Sequence, residues 1–173
     1  MSMIKGDDKW YQVCNVILAA AVNGLALPVN RKLITTGQIA WDDCCDGQLA
    51  VSYTRTSPTE SFPTEQVTLS QYSDSTECVP PYEIGEITVQ ITRCAPQAVN
   101  GQNAPSTDVL SKHALQNLID ANQIRRSVSV ALCALKADVT NRFDYFIRSQ
   151  LMLGPEGACD GSELYLYAGL AVG

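Results

Sequence analysis

The stretch Glu86-Ile87-Thr88-Val89-Gln90-Ile91-Thr92-Arg93-Cys94 sets the reading of the fold. Ile87, Val89 and Ile91 alternate with Thr88, Gln90 and Thr92, and Cys94 and Pro96 end the run. A period of two places the three branched apolar side chains on one face, so the segment is a strand with one face buried. Downstream, the polar connection from Gln97 to Pro105 leads to Ser106, whose hydroxyl can cap a helix. That helix contains Leu110, Leu115, Leu118, Ile119, Val128, Leu132 and Leu135, and it is the principal helix, bent or interrupted near its middle. The segment from Arg142 to Leu153 follows, with Phe143, Tyr145, Ile147 and Leu151 on one parity and Phe146 and Met152 on the other, so both of its sides are expected to be covered. A terminal strand from Glu163 to Val172 alternates Leu164, Leu166, Ala168, Leu170 and Val172 with Tyr165 and Tyr167. Upstream, Trp10, Val13, Cys14, Ile17, Leu18 and Val22 line one side of a first helix between Trp10 and Ala26, which Gly24 and Pro28 bring to an end. Ile39 and Trp41 share a parity that Leu49, Val51 and Tyr53 resume, predicting two strand halves around a polar turn or bulge. Thr56 to Pro81 holds Pro58, Pro63, Pro80 and Pro81 among many Ser and Thr, which makes it a long loop. The order helix, two strand regions, helix, two strand regions predicts an α+β fold, a mainly antiparallel sheet with two packed helices.

With 173 residues, the chain is expected to be one domain spanning positions 1 to 173. Twelve Lys and Arg face 18 Asp and Glu, a formal charge of -6 that argues against a basic surface wrapping nucleic acid. Charged residues make up only 17%, below the usual share of about a quarter, which points to surface covered by other subunits. The apolar stretch from Val16 to Val22 is too short to span a bilayer, so a soluble product with no membrane partner is expected. Seven cysteines cannot all pair within the chain, so at least one thiol stays free or pairs outside it.

The segment Trp41-Asp42-Asp43-Cys44-Cys45-Asp46-Gly47 could in principle hold a cation. As a calcium loop from Asp42 it fails, with Cys44 at the third position and Tyr53 at the twelfth. For zinc, the adjacent Cys44 and Cys45 would point apart on an extended backbone, and Cys78 and Cys94 would have to arrive from elsewhere. An ordinary turn is the leading reading, ahead of a metal site and of a disulfide or redox role. Cys14 and Cys133 lie in apolar helical contexts and read as small core residues. The single histidine, His113, reads as a helical surface residue, and no nucleophile or zinc motif surrounds it. Gly154 to Gly161 lacks the spacing of a phosphate or dinucleotide loop and reads as a turn. Arg125 and Arg126 are about 100 degrees apart on the helix and read as solvent-facing charge, with an intersubunit ion pair as the next reading. Trp10, Trp41, Tyr165 and Tyr167 read as core or sheet-covering aromatics, with interface anchoring next. No catalytic, cofactor-binding or metal residue is assigned, and no enzyme activity is expected.

Several segments carry a resemblance: Gly37-Gln38-Ile39-Ala40-Trp41-Asp42-Asp43-Cys44, Cys45-Asp46-Gly47-Gln48-Leu49, Phe62-Pro63, Thr88 to Pro96, and Gly154 to Leu164. Together they resemble a neck-protein family of long-tailed bacteriophages that infect actinobacteria, the tail terminators or head-to-tail connector components. The resemblance extends over most of residues 10 to 173. It implies a small α+β subunit of the tail-terminator fold that assembles into a homohexameric ring, caps the tail tube, stops its polymerisation and offers a joining surface to the DNA-filled head. It implies as partners the major tail-tube protein and a head-completion or connector protein, and a place in the virion neck at the head-tail junction after assembly in the host cytoplasm. Genomic DNA would pass through the lumen without sequence-specific binding, which suits an acidic wall. The Thr56 to Pro81 loop and the Gly154 to Gly161 turn are the expected intersubunit contacts. The alternatives are a head-completion or adaptor protein between portal and tail, and a small thiol- or metal-dependent enzyme.

Overall fold

A computed structural model describes residues 8–41, 44–59, 61–63, 82–98 and 103–171. Helix α1 spans Lys9–Gly24, and strand β1 spans Arg31–Thr36. A short 3-10 turn, Cys44–Asp46, precedes β2 at Gln48–Thr59 and β3 at Tyr82–Cys94. Helix α2 spans Thr107–Ala137, and β4 (Phe143–Glu156) and β5 (Cys159–Ala171) form a closing hairpin. The five strands make one sheet in the order β1-β2-β3-β5-β4. Only the β1–β2 pair is parallel; β2–β3, β3–β5 and β5–β4 are antiparallel. The architecture is therefore the expected α+β class, a mainly antiparallel sheet with two helices.

Both helices cover the same face of the sheet. From α1 come Val13, Cys14, Ile17 and Ala21, and from α2 come Ile124, Val128, Leu132 and Leu135, each set at helical spacing. They meet Leu49 and Val51 of β2, Ile87, Val89 and Ile91 of β3, and Leu164, Leu166, Ala168 and Leu170 of β5. The period-two alternation along β3 thus has its expected result, one face in the core. The two helices approach closely where α1 ends, because a Cβ on Gly24 would lie 2.5 Å from the Ser127 hydroxyl of α2. The Ser106 side chain accepts from the Val109 N–H at 3.4 Å, the anticipated cap, and the helix that follows runs unbroken through its middle.

The strand expected through Ile39 and Trp41 is displaced. The first strand is β1, and Gly37 ends it with φ +76, a left-handed turn that turns the chain away from the sheet plane. Residues 37–41 then cross the sheet face opposite the helices. The Gln48 side chain donates to the Ala40 carbonyl at 2.8 Å, and Ser52 donates to the Gly37 carbonyl. Ile39, in the middle of this strap, is buried without belonging to a strand. Pro58, expected in a loop, sits near the end of β2, so the loop assigned from Thr56 begins at least four residues late. Ser61 to Pro63 is described next, and positions 64–81, the bulk of that loop, lie outside the described residues.

The expectation that both sides of the Arg142 to Leu153 segment are covered does not hold. It is the edge strand β4, and Phe146, Leu151 and Met152 are about half exposed. A register shift between Ile147 and Ser149 moves Leu151 off the parity of Phe143 and Tyr145. The glycine-rich run from Gly154 is a turn only at its centre, where Gly157 takes φ +63 between the two strands of the hairpin.

Candidate functional site

Antiparallel register sets Cys94 at the end of β3 directly opposite Cys159 at the start of β5. The turn Cys44–Asp46 brings two adjacent cysteines to that corner, and two disulfides result. Cys44 joins Cys159 with Cα atoms 5.8 Å apart, and Cys45 joins Cys94 at 4.1 Å. The short helical turn removes the objection that neighbouring cysteines must point apart, which holds only for extended backbone. The disulfide reading therefore displaces the plain turn at Cys44 to Asp46, and no group of three or more His, Cys, Asp or Glu suited to a metal ion occurs among the described residues. Asp42 and Asp43 lie outside the described residues, as does Cys78. Cys14 is buried, as expected. Cys133 is exposed, contrary to expectation, because its position on α2 faces away from the Val128 and Leu132 ridge.

Beside this corner lies an open cleft lined by Leu27, Pro28, Cys45, Arg93, Cys94 and His113. His113 is not a free surface residue: its Nε2 lies 2.8 Å from both carboxylate oxygens of Asp160, and the pair is half-buried between α2 and β5. Arg93 makes an ion pair with Asp120 and donates to the Leu27 carbonyl at 2.9 Å. These two pairs tie α2 to the disulfide corner. They place acid, base and disulfide near one another, yet every one of these side chains already has a partner within the subunit.

On the far face of the sheet the strap roofs a second cavity of about 450 Å³. Its wall includes Trp41, Ser52, Thr88, Gln90, Glu163 and Tyr165. Gln90 donates from Nε2 to Glu163 Oε1 at 2.5 Å, and the Tyr165 hydroxyl donates to Glu163 Oε2. That hydrogen bond, with burial second, pushes the Tyr165 phenol up to about 12. Trp41 and Tyr165 thus cover the sheet as expected, with Tyr165 also tied to a carboxylate. Trp10 stacks on Tyr53 with centroids 5.3 Å apart, and Arg148 donates to the Tyr167 hydroxyl at 3.1 Å. Sequence reasoning missed Gln90 and Glu163 because each sits on the polar parity of a strand, which reads as solvent-facing until a strap covers it.

Among the described residues, two apolar surfaces have no partner within the subunit. The edge of β4 exposes Phe146, Leu151 and Met152, and the first half of α2 exposes Leu110, Leu115 and Leu118. These leucines lie on the principal helix as expected, but on its exposed side, and the inward places of this half go to residues such as Asn117 and Asp120. Arg125 and Arg126 are both exposed, with no ion pair to either among the described residues. No described helix is long and apolar enough to cross a membrane. Comparison with protein-family models and with curated proteins returned no match.

Proposed function

We propose that the chain is a virion structural protein, the subunit of a ring that caps a phage tail tube, ends its polymerisation and joins it to the head. The observation that carries the reading is the open edge of β4, a strand of 14 residues with Phe146, Leu151 and Met152 half exposed along it. A long apolar edge presents unpaired backbone donors and acceptors, and in a ring each such edge is covered by the next subunit. The exposed leucines of α2 add a second apolar surface, so one subunit offers more than one contact face. The segments that resemble tail terminators support the reading further, since Cys44, Cys45, Cys94 and Cys159 join four of them at one corner.

In this reading the chain works by matching surfaces, not by turnover. One annular face binds the terminal ring of tail-tube protein, and the other lacks the surface on which the tube would extend. The acidic balance of the chain makes a lumen that repels phosphate and lets DNA slide. A density map of an intact neck tests it by copy number and neighbours. Six copies seated on the tail tube support the assignment; twelve copies against the portal point instead to a head-completion or adaptor protein.

A further inference from the structure

The two disulfides at the corner of the sheet differ in access. Cys44 and Cys159 are 2% and 7% exposed, whereas Cys45 is exposed and Cys94 half-buried. Cys45 and Cys94 also belong to the wall of the open cleft that contains Arg93 and His113. A thiol in solution therefore reaches the Cys45–Cys94 bond, while the Cys44–Cys159 bond is closed to direct attack.

The strand register opens a second route to the buried bond. Cys94 lies opposite Cys159, and the neighbouring Ala95 N–H donates to the Ala158 carbonyl at 2.7 Å. That bond makes Ala95 and Ala158 a hydrogen-bonded pair, so Cys94 and Cys159 form the non-hydrogen-bonded pair beside it, whose Cα atoms lie about 4.5 Å apart with both side chains on one face. A disulfide spans such a distance. Each of these two cysteines is instead tied to the Cys44–Asp46 turn. A Cys94 thiolate released from Cys45 thus has the Cys159 sulfur as its cross-strand neighbour.

The strap that leads into this turn leaves polar groups unsatisfied on the sheet face it crosses. Gln48 Oε1, Gln90 Oε1 and Thr92 Oγ1 are buried there without a hydrogen-bond partner. Lifting the strap hydrates them, which offsets part of the cost of breaking the Gln48–Ala40 and Ser52–Gly37 hydrogen bonds that hold it. The disulfides of the turn secure its far end.

We propose that Cys45 is an exchange site for a low-molecular-weight thiol, and that exchange there moves the internal disulfide from the turn to the sheet. The thiolate RS⁻ attacks the Cys45 sulfur, forming a Cys45–SR mixed disulfide and expelling the Cys94 thiolate. Cys94 attacks the Cys159 sulfur, forming Cys94–Cys159 and expelling the Cys44 thiolate, which takes up the proton lost by RSH. A second thiol attacks the R sulfur of the mixed disulfide, giving RSSR and the Cys45 thiol. Two thiols supply two electrons, and two disulfides become one. β3 and β5 stay linked, and the strap is freed at the end that carries Cys44 and Cys45. The assignment does not depend on ring formation.

The test caps the open thiols of the native full chain with iodoacetamide, adds reduced glutathione, and quenches at intervals with N-ethylmaleimide for non-reducing peptide mapping. Glutathione on Cys45 is expected first, followed by a Cys94–Cys159 linked peptide with N-ethylmaleimide on Cys44. In that product, hydrogen exchange over residues 37–41 should rise severalfold while β3 and β5 stay protected. Cys45→Ser combined with Cys94→Ser removes the entry bond, and it should slow the opening of Cys44–Cys159 on the order of tenfold. If that variant fails to fold, the parental peptide map decides. Opening of Cys45–Cys94 without a Cys94–Cys159 peptide, glutathione appearing first on another cysteine of the four, unchanged exchange in the strap, or parental opening of Cys44–Cys159 in the folded double variant would each overturn the assignment.

Discussion

The two unpaired thiols among the described residues have opposite environments. Cys14 is buried between α1 and the sheet, and burial pushes its thiol up to about 12, so it carries almost no thiolate at neutral pH. Cys133 is exposed on α2. Alkylation of the native protein with iodoacetamide, read by peptide mapping, should modify Cys133 within minutes and leave Cys14 intact until the chain is unfolded. Comparable labelling of both would contradict the packing of α1. The Arg93–Asp120 pair gives a second prediction at this scale. The Asp120 side chain is 1% exposed, and its carboxylate is held by Arg93 and by Gln116 at 2.9 Å. Removing the cation leaves a buried charge without compensation, so Arg93→Ala should lower the unfolding free energy by about 3–5 kcal/mol in urea denaturation. A loss under about 1 kcal/mol would show that the pair behaves like a solvent-screened surface contact.

Among the elements, β3 and β5 were readable from their alternation alone, because each has one apolar face and that face meets both helices. The parity of Ile39 and Trp41 imitates a strand, whereas both residues belong to a strap lying across the sheet, in which Ile39 is buried and Trp41 half-buried. The break falls at Gly37, whose φ of +76 is a conformation that glycine adopts without strain. The disulfides were open as one alternative, since adjacent cysteines give no pairing until the Cys44–Asp46 turn and the β3–β5 register are known. The cavity at Glu163 was unreadable for a related reason: polar parity says which face a residue takes, not what covers that face. The connection from α2 to β4 makes a prediction about pH. Asp138 accepts from the Thr140 hydroxyl at 2.6 Å and from the Thr140 N–H at 3.0 Å, and these bonds hold its carboxyl below the usual value of 3.8. A depressed folded value means that the contribution is complete above the unfolded pKa and disappears as pH falls through the folded one. Asp138→Ala should therefore be less stable than the parent at neutral pH, and the gap should close below about pH 4. A gap of constant size down to about pH 2 would mean that the cap works by shape, without its charge.

At the scale of the whole molecule, the acidic composition and the open edge pull in opposite directions. A charge of -6 on each chain disfavours bringing copies together, while the exposed apolar groups of β4 and α2 favour it. Side chains along an edge strand also matter beyond their area, since a carboxylate there must be desolvated before a neighbouring strand can pair. If the proposed ring forms through β4, Phe146→Asp combined with Leu151→Asp should abolish its assembly while sparing the subunit, because both side chains are about half exposed before any contact forms. Light scattering at matched concentration would report the loss of the larger species, and an unchanged far-ultraviolet circular dichroism spectrum would show that the sheet survives. Raising salt to about 1 M shrinks the screening length to about 3 Å, so it should strengthen parental assembly and leave the doubly charged edge unable to recover, desolvation being insensitive to screening. A variant that still forms the parental species would remove β4 from the interface and leave the exposed leucines of α2 to account for it.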